Sequence, residues 1–256
     1  MRRSGRSAFP FKSSRHSLEH SKRLCRRTHH EELPPEGVDR LAELGAALVA
    51  ASDLVYRDFP WRRFDDPYAI AVAEILLQKT RADKVAVFLP ALLEKVPSAR
   101  LLAAADEADL ARVIGPLGLA KKRATLLVAF GQALVDHGLV ALRCGRELPG
   151  LGEYGRRAVM CFAFSVATGI VDANVRRILK RALSLGPHCV NYYQDIADRV
   201  LSRARDPKRM NYALLDIGAT FCRPAPRCPL CPLNMHCDYG LKAVAPGRTA
   251  DKARGT

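Results

Sequence analysis

Nowhere along these 256 residues do about 18 apolar residues follow one another, so nothing in the chain reads as a membrane span. Alternating runs of β-branched residues bounded by turns are also missing, which leaves no basis for a sheet. A secretory signal is lacking, and the eight cysteines therefore read as thiols of a reducing, cytoplasmic compartment rather than as a disulfide framework. Acids are nearly absent from residues 1–30, where nine Lys/Arg face only Glu19. That stretch is rich in Ser and His and almost free of periodic apolar residues, so it reads as a flexible basic arm attracted to phosphate. Its Arg- and Ser-rich character overlaps with a mitochondrial transit peptide, but the apolar face of such a peptide is missing.

What the chain does contain is enough apolar material for a core, 48% of its residues, and an excess of positive charge. The net +15 divides into +8 for residues 1–30 and +7 for the rest, an imbalance that points to a polyanionic partner. From Asp39, placed as a helix cap, the positions Leu41, Leu44, Leu48 and Val55 follow helical spacing. A turn-rich connector from Phe59 to Pro67 leads to helical patterns at about 67–79, 81–94, 101–113 and 121–137, separated by Pro or Gly. The hairpin Leu148-Pro149-Gly150-Leu151-Gly152 opens a further helix at about 153–167, followed by others at 173–185, 191–204 and 208–220. The predicted fold class is all-α, with a frayed basic end after about Leu241. Cys161, in the run Ala158 to Phe164, is predicted to be a core residue.

Three local features carry chemistry. Cys222, Cys228, Cys231 and Cys237 are spaced C-x5-C-x2-C-x5-C, and sulfurs that close need something soft to gather them. A central C-x2-C with one cysteine on each side suits a [4Fe–4S] cluster. Zinc, which more often pairs two short spacings across a longer loop, is the alternative. Arg223 and Arg227, between the first two cysteines, are suited to a phosphate contact. In the hairpin, Gly150 and Gly152 flank Leu151 and let successive amides point one way at a helix N-terminus, a phosphate-binding arrangement; an ordinary helix–helix turn is the plainer reading. Glu74 sits between Ala71-Val72-Ala73 and Ile75-Leu76-Leu77, and a carboxylate in so apolar a helix requires a reason.

In order, the L-P-G-x-G hairpin, Val171-Asp172-Ala173-Asn174 about twenty residues later and the four-cysteine loop resemble the helix-hairpin-helix DNA glycosylases of the endonuclease III superfamily, over about residues 40–240. The resemblance implies two helical lobes, a six-helix barrel-like one and a cluster-bearing one, with DNA across the cleft between them and a base flipped out of the stack. The layout it implies is a basic tail at 1–36, the first part of the cluster lobe at 37–66 and the six-helix lobe with its hairpin at 67–171. The rest of the cluster lobe, with the cysteine loop, follows at 172–240, and a flexible tail at 241–256. The protein would act as a monomer on duplex DNA, with no membrane. Asp172 would cap the helix beginning near Ala173 and, facing the cleft, stabilise a cationic sugar and direct water onto C1′. Leu148, Gly150 and Gly152 would hold DNA phosphate, and Gln78 would fill the vacated stack.

Family members that also cleave the strand carry a lysine two residues after the second hairpin glycine; here that residue is Tyr154. A phenol forms no Schiff base, so the resemblance implies a monofunctional enzyme using water, with Tyr154 lining the pocket. Relatives with tyrosine there include thymine-DNA mismatch glycosylases and adenine glycosylases. Asp58 through Arg62, Asp66-Pro67-Tyr68 and Ala173 resemble the mismatch group, as does Gly118-Leu119-Ala120 where adenine enzymes tend to carry paired tyrosines. The string Leu77-Gln78-Lys79-Thr80 is closer to the adenine group, and no room for that group's extra C-terminal domain is expected after residue 240. The expected substrate is thymine or uracil opposite guanine; adenine opposite 8-oxoguanine or guanine is the alternative, and a non-catalytic DNA-binding protein with a zinc knuckle is the second. Glu74 would serve either enzyme, protonating adenine N7 or hydrogen-bonding a pyrimidine or the water. One departure stands out: the first cysteine gap holds five residues where most of the family has six.

Overall fold

The computed structural model describes residues 35–144, 146–202 and 204–244; most of both expected tails lies outside them. Twelve α-helices occur among the described residues: α1 (Pro35–Ala51), α2 (Pro67–Leu77), α3 (Ala82–Lys95), α4 (Ala99–Ala103), α5 (Glu107–Val113), α6 (Ala120–His137), α7 (Val140–Arg143), α8 (Glu153–Phe164), α9 (Ala173–Ala182), α10 (Val190–Leu201), α11 (Pro207–Thr220) and α12 (Asp238–Val244). The only strand-like feature among them is the isolated Leu148–Leu151 bridge. The all-α expectation therefore holds.

Short polar caps set most of the boundaries. Asp66, Ser98, Asp106, Asp172 and Asp206 each accept an amide from the first turn of the helix that follows, and Pro67 and Pro207 stand at first helical positions, where their missing N–H costs nothing. The cap at Asp106 also corrects an expectation: the continuous pattern at 101–113 is two helices, α4 and α5, because the Asp106 carboxylate takes the Asp109 amide and restarts the chain. Asp39 is likewise no cap, since α1 already starts at Pro35. Helix α8 stops at Phe164, short of residue 167, where Ser165 adopts a left-handed conformation with φ of 55°. The expected frayed end after Leu241 is helical through Val244.

Two hydrophobic cores result. The first gathers α2 through α8 with Trp61, and its centre is α2, buried at every position from Tyr68 to Leu76. A helix apolar on all sides must be surrounded, and here Glu74 is the single acid in that central run. Cys161 is buried in the same core, as expected. The second core joins α1 to α9, α10 and α11, with Leu233 beneath the cysteine loop. Helix α11 serves both: Tyr212 packs into the first core, while Met210, Ala213, Leu214 and Ile217 pack into the second.

Candidate active site

The hairpin holds its shape by backbone geometry. Leu148 and Leu151 are buried, the Leu151 amide donates to the Leu148 carbonyl at 3.0 Å, and Gly150 turns the chain at φ +79°. A Cβ at Gly150 would also come within 3.1 Å of the Leu126 side chain and 3.2 Å of Ile75, so torsion and space both call for glycine. Gly152 caps α8 with no side chain and nothing within 4 Å of where a Cβ would stand, which leaves room for an anion at the first-turn amides. Gln78, exposed just past the end of α2, donates to the Gly150 carbonyl at 2.5 Å and so lies beside the hairpin. The turn that carries it is pinned from α6: the buried Arg123 donates to the Leu76 and Gln78 carbonyls at 2.8 and 2.7 Å and to the Thr80 hydroxyl at 2.5 Å.

Next to this turn opens a cleft of about 820 Å³ whose walls come from both cores. Glu74, Tyr154 and Asp172, far apart in sequence, all line it, together with Arg62, Tyr212 and Arg223. Asp172 caps α9 through Oδ1, which accepts the Asn174 and Val175 amides at 2.8 and 2.7 Å, while Oδ2 accepts from the Asn174 side chain at 2.9 Å. Capping and facing the cleft are thus met by one carboxylate in a fixed orientation. Glu74 is 4% exposed, its Oε2 has no hydrogen-bond partner, and burial pushes its carboxyl up to about 8. At neutral pH it therefore carries its proton and can donate. The Tyr154 phenol is held well above its ordinary value, first by burial and then by the negative charge of Glu74 and Asp172.

The cleft lining and the layer behind it contain residues to which the sequence reading gave no role. Asp216, fully buried on α11, accepts both terminal nitrogens of Arg62 at 2.6 and 2.7 Å, and the Arg57 backbone and side chain at 3.0 and 2.7 Å. Arg62 in turn lies over the Tyr212 ring, 4.3 Å from its centre, and Tyr212 stacks on Phe162 at 4.3 Å. The Nε of Arg62 is buried without a partner.

All four cysteines of the loop face one small cavity with Arg181 and Tyr239. Arg181 donates to the Cys222 sulfur at 3.4 Å and to the Arg223 and Pro224 carbonyls at 2.7 and 3.1 Å, and the Gly240 amide points at the Cys237 sulfur at 3.3 Å. Among the described residues, no three His, Cys, Asp or Glu groups converge as a site for a single metal ion. Arg223 reaches the cleft wall; Arg227 is exposed and stands outside that wall.

The profile of the HhH-GPD superfamily of base excision DNA repair proteins matches residues 72–198. A thymine/uracil-DNA glycosylase of Pyrobaculum aerophilum is 31% identical over 215 residues, 79% of this chain and 93% of its own. An adenine DNA glycosylase of Mycobacterium tuberculosis is 34% identical over 197 residues, 73% of this chain and 64% of its own. The solved structure of a thermostable thymine-DNA glycosylase superposes with a TM-score of 0.71 at 25% identity, over 80% of this chain and 98% of that one. By this match and by its likeness to these glycosylases, the chain belongs to the HhH-GPD superfamily of base excision DNA repair proteins.

Proposed function

We propose that this DNA glycosylase hydrolyses the N-glycosidic bond of thymine or uracil opposite guanine in duplex DNA, acting as a monomer and without strong strand-cleaving activity. The observation that carries the reading is the make-up of the cleft: its walls hold Asp172, Glu74 and Tyr154 and, among the described residues, no lysine to attack C1′ as an amine. Water is then the nucleophile. As the bond to the base breaks, positive charge grows on the deoxyribose, and the Asp172 carboxylate, already oriented by two backbone amides, lies ready to stabilise it and to direct the water. A pyrimidine leaves with negative charge on its ring. The protonated Glu74 and the unpartnered Arg62 Nε–H are donors suited to that charge. Gly150 and Gly152 hold the backbone phosphate, Arg223 adds a second contact from the cleft rim, and Gln78 enters the space the base has left.

The chemistry of the donor set supports a [4Fe–4S] cluster on Cys222, Cys228, Cys231 and Cys237: four soft thiols line one small cavity. When bound, the cluster would brace the loop that presents Arg223. A second reading, removal of adenine, is favoured by the buried Glu74 acid, which is placed to protonate N7 of a flipped purine. Duplex oligonucleotides carrying G·T, G·U and 8-oxoguanine·A pairs separate the two. Strand breaks at T and U that appear only after alkali are expected. Breaks at A alone would give the site to the second reading, and efficient breaks without alkali would contradict hydrolysis by water.

A further inference from the structure

The linker between α8 and α9 has no regular structure, yet its backbone is bound from outside at every polar group of a short stretch. The Thr168 carbonyl accepts from Asn211 at 2.9 Å and the Gly169 carbonyl from Gln194 at 2.8 Å. The Gly169 amide donates to Asp198 at 2.7 Å and the Ile170 amide to Asn211 at 3.1 Å. Helix α10 presses directly on this stretch: a Cβ at Gly169 would stand 2.4 Å from that of Ala197. Two residues after Ile170 comes Asp172.

Asp198 is the member of this clamp that also reaches α8. Its Oδ2 accepts from Arg157 on α8 at 3.0 Å, and its Oδ1 accepts from Thr168, Gly169 and Gln194 at 3.1, 2.7 and 3.1 Å. Arg157 closes the circuit by donating to the Thr168 hydroxyl at 2.6 Å. It lies one turn beyond Tyr154 on the helix that Gly152 caps. Four donor groups thus converge on one carboxylate, whose oxygens accept more strongly than a neutral amide oxygen would. Asp198 itself is not part of the cleft wall.

We propose that Asp198 is a positioning residue: it ties the helix carrying Tyr154 to the linker that delivers Asp172, and so fixes the gap in which the sugar is attacked. The inference rests on the mismatch reading above. Displacements of about 1 Å in such a gap slow chemistry by up to about 100-fold without loosening the grip on DNA. The test is single-turnover excision from G·T and G·U duplexes by the full chain, with reaction amplitude and rate constant read separately. Affinity for a duplex containing a tetrahydrofuran abasic analogue is measured alongside. Asp198→Asn, nearly isosteric but uncharged, is expected to slow the rate constant about 10- to 100-fold at full amplitude and unchanged affinity, and Thr168→Val to slow it less. If both variants react at the wild-type rate and lose only amplitude, Asp198 merely holds the fold together and the proposal fails. A wild-type chain that releases neither base overturns the mismatch reading instead, and this proposal with it.

Discussion

Arg62 and Asp216, 154 residues apart, meet in a two-pronged ion pair that is 3% and 0% exposed, with Arg62 lining the cleft and Asp216 buried behind it. Such a pair contributes little over an apolar one, but removing one partner strands a charge in the interior, at a cost of about 3–5 kcal/mol. Asp216→Leu alone is expected to lower stability by about that amount in urea denaturation. Combining it with Arg62→Met should restore much of the loss while excision stays impaired. Equal stability of the single and double variants would mean that the Arg62 charge is not stranded.

Asp172→Asn separates chemistry from capping. Asparagine caps helices about as well as aspartate, so stability should change by less than about 1 kcal/mol. Without the negative charge beside the sugar, base release should fall by about 1,000-fold while duplex binding persists. A variant that unfolds or stays active would remove Asp172 from the reaction.

Tyr154→Lys places an amine between Glu74 and Asp172, where burial favours the neutral, nucleophilic form. Borohydride should then trap a covalent protein–DNA adduct that the wild type does not form. Absence of an adduct would show that residue 154 does not face C1′.

Glu74 makes stability depend on pH in a defined direction. Its folded value of about 8 lies above the ordinary value of 4.5, so the native state binds the extra proton and stability falls as pH rises between these limits. The slope is about 1.4 kcal/mol per pH unit, and Glu74→Gln should remove it. Urea midpoints measured from pH 5 to 8 check this, and parallel curves for the two proteins would contradict it.

The cysteine loop makes a compositional prediction. Purified protein should contain iron and acid-labile sulfide in equal amounts, about four of each per chain, and be brown. Zinc at one per chain, in a colourless protein, would overturn the cluster assignment.

Much of the site was legible because its residues announce themselves locally. The hairpin needs glycine, Asp172 stands where a helix must be capped, and Glu74 is an acid in an apolar helix. Asp216 carries the same signature, since Tyr212-Ala213-Leu214-Leu215 precede it and Ile217 follows. Its partners were beyond reach, because nothing in the order of residues says that the Arg57 to Arg62 connector folds back against α11. The division at Asp106 was hidden by an apolar pattern that runs through it, and only the cap geometry separates the two helices. Arg223 and Arg227 looked equivalent in a short loop, but the path of the chain brings only the first to the cleft wall.

Helix α11 gives Tyr212 to one core and Met210, Ala213, Leu214 and Ile217 to the other. Neither half can shed that helix without exposing apolar surface in its neighbour, so heating or denaturant should dissolve both in a single cooperative step. With the proposed reacting groups contributed by opposite halves, this splint makes partial melting and loss of alignment the same event.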